Sequence, residues 1–282
     1  MPYIPVTDTQ RDEMLRFLGI DSLEELFREI PRARRFPPLD LEGGKSEAEV
    51  LGEISAMADR NVHAGNRRWF LGGGLYHHFI PAAVSALASR GEFLTAYTPY
   101  QAEVSQGTLQ AIFEYQSMVA SLFGMDVVNA GHYDGATALA EAVIIALKQR
   151  GPAEARRVLI PAGLHPEYKE VLDLYLSAYH PLVEEYTGPP EESLKKSGGS
   201  PACLVAAYPD FFGTIPRLAG GADAIHRAGG LFIVHADPIM CGLFKSPGEY
   251  GADIVTAEGQ SLGNDMNYGG PLLGIMAVTR DL

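Results

Sequence analysis

From Arg157 onward the chain reads as short apolar runs separated by helical segments, and few folds accept that order. The runs RVLIPA, ACLVAAYP, LFIVHADP, YGADIVTAEG and LLGIMAVT are largely continuous in apolar character. A strand of that kind is buried on both faces. PEYKEVLDLYLSAY and IPRLAGGADAIHRAGG lie between them with helical spacing. The order implies an α/β fold, a mainly parallel sheet flanked by helices on both faces. GPPEESLKKSGGSP reads as a polar surface loop.

Two longer amphipathic helices precede the strands. SQGTLQAIFEYQSMVASLFG closes on Gly124, and DGATALAEAVIIALKQRG opens on Asp134 as N-cap with Gly151 at its far end. FLGGGLYHHFIP reads as a glycine turn running into a helix near Pro81, with His77 and His78 on different sides of it. The first sixty residues read as a separate helical arm. Met14, Leu15, Phe17 and Leu18 have helical spacing and Gly19 supplies a stop. Ser22 with Glu25, and Ser46 with Glu49, have capping-box spacing. The expected organisation is an arm over residues 1–60 and a large domain over 61–282.

Charge and cysteine usage exclude several classes. With 35 acidic and 22 basic side chains the net charge is −13, the wrong sign for a protein that tracks nucleic-acid phosphates. Cys203 and Cys241 sit beside apolar runs, as small core residues in a reducing compartment. No window reaches the ~20 apolar residues of a membrane helix, and the start carries no secretory pattern. The cytoplasm is the expected location, with no membrane and no nucleic acid as partner. The histidines form no set with metal-ligand spacing, so no metal is expected.

Four stretches carry candidate chemistry. TAYTPYQAEVSQ packs Tyr97, Thr98, Tyr100, Gln101 and Ser105 before a helix; it reads either as a binding loop or as a bonded loop with Ser105 as cap. NAGHYDGATALAEA places Tyr133, Asp134 and Thr137 at a helix start. Such a start offers amides to an anion, but the Asp134 carboxylate would satisfy them itself and repel a phosphate. His235 and Asp237 end a buried-looking strand, where the acid can face a protonated ring nitrogen or bond the turn before Pro238. TAEGQSLGNDMNYGGP, holding Gln260 and Ser261, resembles the strand, polar turn and Gly-Gly-Pro in which one large enzyme class places an imine-forming lysine, but it has no lysine. Lys45, Lys148, Lys169, Lys195 and Lys196 fall on helices, beside a cap or in the polar loop; Lys245 alone lies near a strand end, in a solvent-type turn.

GEFLTAYTPYQAEVSQGTLQAIFEYQ, MDVVNAGHYDGATALAEA, YGADIVTAEGQSLG and YGGPLLG together resemble the glycine cleavage system P-protein family, and within it the subunit 1 (alpha) type. MLRFLGIDSLEELFREIP carries the likeness into the arm. The resemblance implies the large domain of fold type I enzymes dependent on pyridoxal phosphate (PLP), truncated here, with the family's C-terminal small domain missing from this sequence. It also implies a glycine dehydrogenase (aminomethyl-transferring) in an alpha2beta2 assembly. There the beta subunit holds the PLP lysine, glycine is decarboxylated and the aminomethyl group passes to the lipoyl arm of H-protein. Gln260 stands where that lysine would be, so this chain has no catalytic residue of its own. Tyr97, Thr98, Tyr100, Gln101 and Ser105 become candidates for a shared active site or lipoyl channel. Tyr133, Asp134, Thr137, His235, Asp237, Gln260 and Ser261 become a vestigial cofactor site. Gly131, His132, Asn264, Asp265 and Met266 depart from the family's usual pattern. Two alternatives stay open: a non-catalytic assembly subunit that only stabilises the beta chain, and a stand-alone PLP enzyme using Lys245.

Overall fold

The computed structural model describes residues 5–35, 37–38, 40–63, 65–70, 72–150, 157–197 and 200–282, without the side chains of 150, 196 and 197. The expected stop at Gly151 lies outside the described residues. The chain divides into two compact units, Met1–Val62 and His63–Leu282.

The first unit is helical. Helix α1 (Asp8–Leu18) starts at Thr7, whose hydroxyl accepts from the Gln10 N–H while the Gln10 side chain accepts from Thr7, a capping box that the sequence reading missed. Gly19 ends the helix at φ 68°, where a Cβ would be strained. The box expected at Ser22 is not formed. That segment winds as a 3-10 turn (Leu23–Phe27), Ser22 makes no side-chain cap bond, and the Glu25 carboxylate reaches back to the Asp21 N–H at 2.8 Å. The box at Ser46 and Glu49 is complete and starts α2 (Glu47–Ala58).

The second unit opens with α3 (Ala82–Ala88), α4 (Gly91–Leu94) and α5 (Gln106–Phe123), the last closed by Gly124 at φ 66°. His77 and His78 precede α3 in non-helical backbone, so the expected placement on a helix is corrected. Ser105 sits at the N-cap of α5 but makes no cap bond with its side chain. The remaining elements alternate: β1 (Val127–Val128), α6 (Gly135–Arg150), β2 (Arg157–Pro161), α7 (Pro166–Leu176), β3 (Leu182–Tyr186), α8 (Pro190–Ser197), β4 (Cys203–Tyr208), α9 (Gly221–Arg227), β5 (Leu231–Ala236), α10 (Pro238–Cys241), β6 (Ile254–Glu258) and β7 (Gly274–Val278). The stretch read as a polar loop contains α8. Its start has helix signals, a proline at the first position and Glu191 and Glu192 in the first turn. Strand β3 was also missed; Leu182 and Glu185 are exposed and the other three residues half-buried, as suits an edge.

The sheet runs β1-β7-β6-β5-β4-β2-β3. Strands β3, β2, β4, β5 and β6 are parallel; β7 and β1 pair antiparallel at one edge. Strand period sends alternate residues to opposite faces, and the two cores divide accordingly. Leu204, Phe232, Val234 and Val255 pack with Val119 and Phe123 of α5 and Ile225 of α9. Cys203, Val205, Ile233 and Ile254 pack with Leu139, Val143 and Leu147 of α6 and Leu172 and Leu176 of α7. All six residues of β4 are buried, which is why the run is apolar without alternation. Both cysteines are free and buried, and burial pushes their thiols up to about 12. The parallel strands β2, β4, β5 and β6 end on one edge of the sheet, where α6 begins; ligands of open α/β sheets gather at such an edge.

Candidate functional site

A cleft at that edge is lined by Gly74, Tyr76, Leu164, His165, Tyr168 and Asp210, together with His235, Asp237, Glu258, Gln260 and Ser261. Gly74 and Tyr76 come from the irregular segment before α3, and the others lie at or just beyond strand ends and helix starts. His165 is the N-cap of α7: the Glu167 N–H donates to its Nδ1 at 3.1 Å. The ring proton therefore sits on Nε2, which donates to the Gly73 carbonyl at 2.5 Å. The ring lies between Tyr168, 5.1 Å away, and the edge of Phe211 at 4.7 Å. His235, at the end of β5, meets Tyr168 edge-on at 5.0 Å and bonds the Thr256 hydroxyl at 3.0 Å through Nδ1.

Asp237 Oδ1 accepts from the Met240 N–H at 3.0 Å and caps α10, while the residue also lines the cleft. Gln260 is 2% exposed and uses its whole side chain inside the fold. Its Oε1 accepts from the Tyr76 N–H at 3.3 Å, and its Nε2 donates to the Asn264 carbonyl. Ser261 is buried in the same 3-10 turn, Gln260–Leu262.

At the start of α6 two carboxylates take the backbone donors. Asp134 Oδ1 accepts from the Thr137 N–H at 2.7 Å, and the Thr137 hydroxyl returns a bond to the Asp134 N–H at 3.2 Å. Glu258, on the last residue of β6, accepts from the Gly135 N–H at 2.9 Å. Its other oxygen accepts from the N–H groups of Gln260 at 2.9 Å and Leu273 at 3.1 Å. Burial raises the Glu258 carboxyl above its ordinary value; the three N–H bonds oppose that shift without cancelling it, and the Asp134 charge adds to it. Tyr168 is raised by burial first, then by the charges of Glu258 and Asp134.

The structure thus gathers His235, Asp237, Gln260 and Ser261 in the cleft, with Asp134 and Thr137 at its α6 margin. Tyr133 is 89% exposed and outside the lining. Tyr97, Thr98, Tyr100, Gln101 and Ser105 do not line the cleft either; Tyr97 and Tyr100 are exposed, their rings 6.0 Å apart. His165, Tyr168, Tyr76, Asp210 and Glu258 were missed. A strand-final acid two residues before Gln260, in AEGQ, was the readable signal for Glu258. Among the described residues no lysine or arginine lines the cleft. Lys245 stands over the Tyr250 ring, 4.7 Å from its centroid, away from the lining.

The residues present do not fit PLP. The position for an amine is an amide with both ends bonded, the anion-binding start of α6 is met by two carboxylates, and among the described residues the only basic side chains in the lining are the imidazoles of His165 and His235.

One pH effect follows from the burial of His235. Desolvation, then the neighbouring His165, lowers its pKa from 6.5 to about 4. Between those values the unfolded chain binds the proton and the folded chain does not, so stability is retained above pH 6.5 and lost as pH falls toward 4. Denaturant melts across this window are expected to show the natural protein losing on the order of 2 kcal/mol more than His235→Gln. Parallel losses would remove the histidine from the account.

A family profile described as glycine cleavage system P-protein matches residues 1–282. A probable glycine dehydrogenase (decarboxylating) subunit 1 of Thermomicrobium roseum is 44% identical over 100% of this chain and 64% of its own length. The corresponding protein of Desulforamulus reducens is 46% identical over 98% of this chain and 63% of its own. The chain therefore spans just under two thirds of the length of the curated relatives it matches. A crystal structure of glycine decarboxylase (P-protein) of the glycine cleavage system, in inhibitor-bound form, superposes with a TM-score of 0.86 at 45% identity, covering 100% of this chain and 63% of that one. The sphingosine-1-phosphate lyase of Burkholderia pseudomallei superposes at 0.61 with 15% identity over 89% of this chain and 63% of its own, a likeness of fold alone. The seven-stranded, mostly parallel sheet with flanking helices is the PLP-dependent transferase-like architecture.

Proposed function

Because the chain belongs to the glycine cleavage system P-protein family, we propose that it serves as the alpha-type half of a glycine dehydrogenase (decarboxylating) whose chemistry is carried by a beta-type partner. In this reading PLP is held by the partner, glycine is decarboxylated there, and the aminomethyl group passes to the lipoyl arm of H-protein. The observation that carries the proposal is Gln260. It stands where the resemblance places the cofactor lysine, and its amide is engaged by Tyr76 and Asn264 within this chain. An amide nitrogen has no basic lone pair with which to form an imine, so no covalent tether is available at that point.

What this chain's own residues do is hold shape. The Glu258 and Asp134 carboxylates fix the start of α6, Asp237 fixes α10, and Gln260 fixes the turn ahead of Gly269 and Gly270. The exposed loop bearing Tyr97, Thr98, Tyr100, Gln101 and Ser105 is proposed to meet the partner's active site or the path of the lipoyl arm. Tyr97 and Tyr100 present flat apolar faces with hydroxyls to solvent, which suits a contact completed by another molecule. An alpha2beta2 assembly in the cytoplasm is the arrangement we infer.

Purified beta-type chain alone is expected to exchange glycine carboxyl carbon with bicarbonate at a small fraction of the rate seen after this chain is added. In the reconstituted complex, Tyr100→Phe with Gln101→Ala is expected to lower turnover about tenfold or more without weakening assembly. The separation of that loop from this chain's own cleft favours a second reading, an assembly subunit that only stabilises its partner. Unchanged turnover in the double variant, or full activity of the beta chain alone, selects this second reading over the first.

A further inference from the structure

The cleft can be asked what it would accept if a lysine were restored, and the answer turns on Glu258. Helix α6 is sixteen residues long and opens on the cleft, so its first amides and dipole would ordinarily favour an anion. Those amides are met from within the chain. The Gly135 N–H is taken by Glu258 at 2.9 Å and the Thr137 N–H by Asp134 at 2.7 Å. Glu258 is fixed in place by two further donors, Gln260 and Leu273, and so is not an idle surface acid that swings aside. Gly135 itself is closely packed. A Cβ added at Gly135 would lie 2.7 Å from the Tyr168 hydroxyl and 2.9 Å from the Glu258 nitrogen. A phosphate arriving there would displace one carboxylate and face the other at close range, with no lysine or arginine among the described residues of the lining to offset the repulsion.

We propose that Glu258, with Asp134, is an internal anion occupying the place of a cofactor phosphate, so that this cleft excludes phosphate esters even when an amine is supplied at position 260. Glu258 thus sets specificity as well as shape. The inference rests on the reading of this chain as the half without its own cofactor, and it adds that the missing lysine is one of two independent blocks. It places this cleft in a different ligand class: a neutral pyridine aldehyde fits where its phosphate ester does not.

The test compares Gln260→Lys with Gln260→Lys/Glu258→Gln, full chains in each case, using pyridoxal and pyridoxal 5′-phosphate as probes. The introduced amine condenses with either aldehyde, releasing water, and borohydride fixes the product for mass analysis. Gln260→Lys is expected to take pyridoxal in preference to its phosphate ester. Adding Glu258→Gln, which keeps the length and one acceptor oxygen, is expected to raise capture of the phosphate ester at least about tenfold. It should leave capture of pyridoxal within about twofold, since that probe carries no opposing charge. Equal capture of both probes by Gln260→Lys, or a ratio unmoved by Glu258→Gln, overturns the proposal. If Gln260→Lys does not fold, the natural chain and Glu258→Gln are melted with and without inorganic phosphate. Stabilisation confined to Glu258→Gln supports the proposal, and an equal response in the two proteins overturns it. A stoichiometric adduct on the natural chain would overturn the subunit assignment instead, so the two failures are distinguishable.

Discussion

Replacing Glu258 with alanine is expected to lower the stability of the large unit by about 3 kcal/mol or more. One side chain there serves three backbone donors from three places: Gly135 at the start of α6, Gln260 in the 3-10 turn, and Leu273 just before β7. A half-buried N–H left without an acceptor costs ~1–3 kcal/mol, and water reaching the vacated space recovers part of that. Glu258→Gln keeps one acceptor oxygen but turns an amide toward one set of donors, so it is expected to fall between the natural protein and alanine. Denaturant midpoints compared at neutral pH check the order. An alanine variant as stable as the natural protein would mean that the three segments are held by packing alone.

Gly274→Ala is expected to cost about 3 kcal/mol, for a reason with no electrostatics in it. A Cβ at Gly274 would lie 2.1 Å from the Asp134 carbonyl oxygen, 2.7 Å from its carbon and 2.6 Å from the His132 Cβ. These are backbone and near-backbone atoms, held by the paired bonds between His132 and Gly274 at 2.7 and 3.0 Å, and they cannot rotate away. The substitution must push β7 off the turn that starts α6. Gly52→Ala in α2 is the contrast: nothing lies within 4 Å of its added Cβ, and alanine is the better helix former by ~0.5–1 kcal/mol. Thermal melts of the two variants should therefore move in opposite directions. A neutral Gly274→Ala would show that the α6 start tolerates displacement, and with it the geometry assigned to Glu258.

The frame of the fold was legible because its strands are buried on both faces, and burial of that kind writes itself as an unbroken apolar run. Strand β4, CLVAAY, is the clearest instance, with every residue buried. Edge elements were not legible for the converse reason. Strand β3 is only partly buried and α8 is strongly polar, so neither left a hydrophobic period long enough to read. Local capping was half legible. Ser46 and Glu49 form the expected box, whereas Ser22 and Glu25 have the same spacing on a segment that tightens into a 3-10 turn, where the bonds fall differently.

In the cleft, sequence reasoning found the residues that lie near one another along the chain or at a strand end: Asp134, His235, Asp237 and Gln260. It missed Glu258, whose bond to Gly135 spans 123 positions, and the ring cluster of His165, Tyr168 and His235, which forms only when the start of α7 meets the end of β5. The polar aromatic loop around Tyr100 was conspicuous in sequence, yet it lies outside this chain's cleft. A dense polar loop advertises a contact without saying which molecule completes it.

Everything proposed here depends on this chain being unable to tether an aldehyde coenzyme. The direct measurement is to incubate the purified chain with pyridoxal 5′-phosphate, reduce with borohydride, digest, and locate the label by mass. The account predicts no stoichiometric label on any one residue and no stable visible absorbance band, with the label appearing on the beta-type partner when the two chains are mixed. One equivalent of pyridoxyl group on a single lysine of this chain, with the accompanying absorbance, would contradict it.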